Sequence, residues 1–113
     1  MLSDEVCDAC RPDALKATEA EIAAMMPEIP EWTLITEDGQ QRLNRVFATK
    51  NFVLAQALAN AIADYAEQVG HHPRLTIEWG RLDVTWWSHK IDGVHRNDFI
   101  CAARCDDLAA RTL

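Results

Sequence analysis

Three of the four histidines fall close together, at His71, His72 and His89, with Glu67 before them and Asp98 after. Imidazole is the side chain whose ordinary pKa, about 6.5, suits giving and taking protons near neutrality. A carboxylate beside such a ring fixes its tautomer and favours the protonated form. Two or three rings framed by two acids point to proton shuttling in an elimination, hydration or isomerisation. The plainer alternative is that the histidines cap a helix and fill loops. A metal site is not expected: adjacent histidines in an extended segment diverge, and no H-x-H or H-E-x-x-H spacing is present. His95, in the polar run Gly93-Val94-His95-Arg96-Asn97, reads as solvated or locally hydrogen-bonded.

These residues need elements to bring them together. The longest periodic stretch runs from about Asn51 to Val69, where Phe52, Ala55, Leu58, Ile62, Tyr65 and Val69 recur at spacings of three and four. Gly70 follows where a left-handed residue would end that helix. Leu75, Ile77 and Trp79 alternate with Arg74, Thr76 and Glu78, then Leu82, Val84 and Trp86 repeat the alternation beyond Gly80. This is a hairpin. Its pairing carries residues near 72 and near 88 to the same end, and Glu67 and Asp98 can face the same space.

Upstream, residues 1–16 show neither helical nor strand periodicity and read as an irregular N-terminal arm; residues 17–113 read as one domain. Thr18 and Glu21 fit a capping box opening a helix over Glu19–Met26, which Pro27 and Pro30 close. Glu31–Thr36 and Gln41–Phe47 flank Asp38-Gly39, a tight-turn signal, and read as a first hairpin. Asn97 is the expected cap of a last helix running to about Ala110, with Asp98 in its first turn. The order α-β-β-α-β-β-α predicts an α+β fold, a four-stranded antiparallel sheet with helices packed on one face. A sheet edge left open is a place for a second copy to pair.

The chain has 113 residues, 49% hydrophobic and 26% charged, enough for one core without staples. Its 18 acidic against 11 basic residues give a net charge of −7, with no basic patch to drive nucleic-acid binding. No apolar run is long enough to cross a bilayer, and no secretion signal is evident, so a soluble cytoplasmic protein is expected. Cys7-x-x-Cys10 and Cys101-x-x-x-Cys105 are expected to stay reduced. The second pair lacks zinc-knuckle spacing and reads as small buried side chains on the last helix. Trp79 and Trp86 share the apolar phase of their strands and are expected in the core. Trp87 is out of phase and is the candidate for a pocket wall.

The run Glu67-x-x-x-His71-His72-Pro73, five residues to Trp79, nine more to His89 and eight more to Asp98, resembles the signature of the pterin-4a-carbinolamine dehydratases. Thr85-Trp86-Trp87-Ser88-His89, His95-Arg96-Asn97-Asp98-Phe99-Ile100 and the Cys7-x-x-Cys10 arm look like bacterial members. The resemblance implies an α+β fold that oligomerises as a dimer or tetramer. It implies dehydration of 4a-hydroxytetrahydrobiopterin to quinonoid dihydropterin plus water, recycling the cofactor of an aromatic amino acid hydroxylase, with a functional link to phenylalanine hydroxylase. By resemblance His71 and His89 are the acid/base pair and His72 binds and polarises the pterin. Glu67 and Asp98 orient the rings and hold the pterin, with Pro73 and Ser88 lining the pocket. No metal or redox cofactor is implied. The chain departs from animal members at Gly70, a position often acidic there, which bears on how His71 is oriented. The competing function is a non-catalytic dimerisation or binding module on the same fold.

Overall fold

The computed structural model describes residues 1–6 and 15–113. Cys7 and Cys10 lie outside the described residues. Helix α1, Glu19–Met25, opens on the expected capping box. Thr18 Oγ1 accepts from the Glu21 amide at 3.1 Å, and Glu21 Oε1 accepts from the Thr18 amide at 2.8 Å. The helix tightens into a 3-10 turn over Met26–Glu28, where Pro27 cannot continue the α-helical ladder. Strand β1, Thr33–Glu37, turns through Asp38 and Gly39, both at positive φ, into β2, Gln40–Ala48.

Helix α2, Phe52–Val69, is capped by Asn51, whose Oδ1 accepts from the Leu54 amide at 2.9 Å. It ends at Gly70, held at φ 68°, as the periodicity and the glycine predict. Its buried stripe begins at Ala55 and continues through Leu58, Ile62 and Tyr65; Phe52, at the first turn, is exposed. Strands β3, Arg74–Glu78, and β4, Arg81–Trp86, form the second hairpin. Trp79 is a correction to the expected core. It is 73% exposed, because register pairing stops at Glu78 and Arg81 and leaves Trp79 in the turn, where strand alternation no longer governs its side chain.

Helix α3 spans Arg96–Thr112, and its cap is His95 rather than Asn97. His95 Nδ1 accepts from the Asn97 amide at 3.1 Å while Asp98 accepts from the His95 amide at 2.9 Å. The imidazole does here what a serine or aspartate usually does, so the helix starts two residues earlier than the polar side chain of Asn97 suggests.

The sheet is antiparallel throughout, in the order β1-β2-β4-β3. Helices α2 and α3 cover one face. There Leu43, Phe47, Leu82, Val84 and Trp86 are buried against Leu58, Ile62, Phe99 and Ala102. Asp106 of α3 ties the layers together, accepting from Trp32 Nε1 at 2.8 Å and Arg45 at 2.7 Å. Burial nevertheless pushes its carboxyl above the usual range. At the N-terminus, Leu2–Asp4 make one 3-10 turn, and Leu2 is fully buried beside α3. The opposite sheet face carries Glu37, Arg42, Asn44, Arg74, Asp83 and Thr85, a polar surface knit by side-chain hydrogen bonds.

Candidate active site

The hairpin does what its length requires. Gly70 turns the chain out of α2 and His71 follows at once, its amide donating to the Ala66 carbonyl at 3.2 Å. Beyond β4, His89 begins a short 3-10 turn, His89–Ile91. The two ends of the hairpin meet where His89 Nε2 lies 3.4 Å from the His72 carbonyl oxygen. A cleft of about 270 Å³ opens there, lined by Gly70, His71, His72, His89 and Lys90.

His71 is the buried member, 1% exposed. Its ring stacks on Trp86 with centroids 5.3 Å apart, and its Nε2 lies 2.6 Å from Asp98 Oδ1. Asp98 is also fully buried. Its second oxygen accepts from Ser88 Oγ at 2.7 Å and from the His95 amide. With Nε2–H donating to this carboxylate, the other ring nitrogen, Nδ1, is left as the basic atom. It is buried and has no hydrogen-bond partner among the described residues. A buried polar atom without a partner is costly, and it belongs to a residue that lines the cleft.

His72 and His89 are exposed. His72 Nε2 lies 2.8 Å from Glu67 Oε2, so each acid has its own imidazole: Asp98 with His71, Glu67 with His72. His89 packs against Trp87, with ring centroids 4.3 Å apart and planes at 39°. The expected site residues are therefore brought to one end of the molecule but in different layers. Trp87 is nearly buried and stands behind His89, while Ser88 is buried beneath the cleft on Asp98. Pro73 is half-buried in the entry to β3. Neither Ser88 nor Pro73 is among the residues lining the cleft.

Two cleft residues, Gly70 and Lys90, had no place in the sequence-based set. Gly70 was legible as a helix end but not as part of a wall; Lys90 carries no signal beyond its place beside His89. Among the described residues there is no cluster of histidine, cysteine and carboxylate groups able to hold a metal ion. Cys105 is sealed in the core and accepts from Trp86 Nε1 at 3.2 Å; burial pushes its thiol up to about 12.

The pterin 4 alpha carbinolamine dehydratase family profile matches residues 15–108, which include every residue of this site. The chain belongs to this family. A Marinobacter nauticus protein provisionally named a pterin-4-alpha-carbinolamine dehydratase is 52% identical over 107 residues, covering 95% of this chain and 96% of that protein. Among solved structures, a transcriptional coactivator/pterin dehydratase from Brucella melitensis superposes with a TM-score of 0.76 at 29% identity, over 84% of this chain and 99% of that one. A pterin dehydratase-like RuBisCO assembly factor of the alpha-carboxysome shares the fold, with a TM-score of 0.60 at 22% identity over 70% of this chain and 89% of its own. The pterin-4-alpha-carbinolamine dehydratase family is one of hydro-lyases, which agrees with a cleft lined by three imidazoles.

Proposed function

We propose that the chain dehydrates a 4a-hydroxytetrahydropterin to quinonoid dihydropterin plus water, with His71 and His89 exchanging the protons. The reaction breaks the C4a–O bond, removes the proton on N5 and forms a C4a=N5 double bond. A base must take the N5 proton while an acid protonates the departing hydroxyl, so two imidazoles at one cleft suffice. His71, with Asp98 on Nε2 and Nδ1 unpartnered, serves as the base. His89, on the other end of the hairpin and open to solvent, supplies the proton to the hydroxyl. His72, paired with Glu67, binds the pterin ring, and Trp87 backs His89 from behind the cleft.

The buried His71–Asp98 pair carries this reading. A non-catalytic dimerisation module on the same fold has no use for a buried imidazole with one nitrogen left bare. Pterin recycling for an aromatic amino acid hydroxylase, phenylalanine hydroxylase among them, belongs to the same proposal, as do homo-oligomerisation and a cytoplasmic setting. The test is decay of freshly generated 4a-hydroxytetrahydropterin with and without the purified protein. Acceleration over the spontaneous rate is expected, with His71→Ala and His89→Ala each slowing turnover by about 10². Decay no faster than the spontaneous rate rejects the proposal.

A further inference from the structure

We propose that Arg42 is a positioning residue for His89, acting through Trp87; this rests on His89 serving the proton-transfer role proposed above. Trp87 follows β4 on the sheet face that the helices leave open, so among the described residues no core layer holds its indole from that side. Arg42 takes that place. Its guanidinium lies 4.0 Å from the Trp87 ring centroid, and the residue is 6% exposed. A cation over an indole is held by the negative face of the ring and gains strength as water is excluded.

The guanidinium is itself fixed. It donates to Glu37 at 2.7 Å and to Gln40 at 2.9 Å. Arg74 shares Glu37 at 2.9 Å and lies 5.5 Å from the same indole. Hydrogen bonds from Arg74, then from Arg42, hold the Glu37 carboxyl below the usual range, so it stays ionised as their anchor. Arg42 Nε is buried without a hydrogen-bond partner among the described residues. The side chain thus occupies a place that leaves one donor unsatisfied, while stacking on Trp87.

Among the described residues His89 has little else to fix its ring. It is exposed, and 3.4 Å to the His72 carbonyl is long for a hydrogen bond. Contact with Trp87 is what sets the plane of the imidazole, and Arg42 sets Trp87. The column Glu37–Arg42–Trp87–His89 runs from β1 across the sheet to the cleft.

The experiment compares Arg42→Gln and Arg42→Lys with the wild-type chain. Ring resonances of the histidines are followed by NMR, and kcat and KM by the dehydration assay. In wild type the Trp87 ring, 4.3 Å from that of His89, is expected to displace the His89 resonances by its ring current. In Arg42→Gln they are expected to move toward unstacked imidazole values while those of His71 stay in place. With them kcat falls by about tenfold, as misplacement of a reacting group does, and KM stays within about twofold. Arg42→Lys, which keeps a cation, recovers part of both. Unmoved His89 resonances in folded Arg42→Gln overturn the inference. If that variant does not fold, Glu37→Gln removes the anchor instead, and unmoved His89 resonances there overturn it equally. Moved resonances with undiminished turnover reject His89 as a catalyst and leave the hold of Arg42 on the ring standing.

Discussion

His71 Nε2 and Asp98 Oδ1 lie 2.6 Å apart, both side chains closed off from solvent, with the same carboxylate capping the first turn of α3 through the His95 amide. One side chain therefore serves both the site and the fold. Asp98→Ala removes the partner of His71, of Ser88 and of the His95 amide together. A loss of about 3 kcal/mol or more is expected by urea denaturation, the scale for breaking a buried hydrogen-bonded pair. Asp98→Asn keeps the shape but not the charge. It is expected to retain more stability while lowering kcat by about 10² or more.

The opposite expectation holds for Glu67. It pairs with His72 at 2.8 Å, but both side chains are largely exposed. Surface pairs of this kind contribute little. Glu67→Gln is expected to change stability by less than about 1 kcal/mol in thermal denaturation, and to raise KM for the pterin more than it lowers kcat. A large fall in melting temperature would contradict this.

Gly70 sits at φ 68° between the helix and His71. A Cβ in that conformation costs about 1–2 kcal/mol. Gly70→Ala is expected to lose that much stability in urea and to reduce activity further, because relief of the strain rotates the backbone that carries His71. Asparagine, which tolerates the left-handed region better than alanine, should recover part of both.

Cys105 gives a pH dependence with a definite sign. Its thiol titrates near 12 in the folded protein against an ordinary value of 9.0, because the buried site disfavours the thiolate. Above pH 9 the unfolded chain releases this proton while the folded chain keeps it. Stability therefore falls as pH rises through this window, by up to about 1.4 kcal/mol per pH unit from this group. Urea titrations from pH 8 to pH 11 should show a steeper decline for wild type than for Cys105→Ala. At pH 7 the folded thiol is expected to resist aromatic disulfide reagents and to react only on unfolding.

Much of this architecture is legible in local pattern. The 3- and 4-spaced stripe and Gly70 give α2, two alternating runs about Gly80 give β3 and β4, and hairpin length brings His72 and His89 together. What escapes is whatever depends on contacts between distant segments. Arg42 lies on β2, and only the pairing of β2 with β4 brings it over Trp87. Which carboxylate serves which imidazole depends on how α3 crosses the sheet, so Glu67 and Asp98 are recognisable together but not individually. Trp79 and His95 fail for a smaller reason. Each sits at an element boundary, where a shift of one or two residues moves a side chain from core to solvent or from loop to cap.

His71 and His89 stand at equal sequence distances from Gly80, one at each foot of the hairpin. Because successive strand residues face opposite sides, adding or deleting one residue in β3 or β4 would slide one foot past the other and reverse the faces beyond it. Replacing a strand residue leaves the spacing intact. Over evolutionary time this stretch of the gene should therefore accept changes of letter far more readily than changes of length.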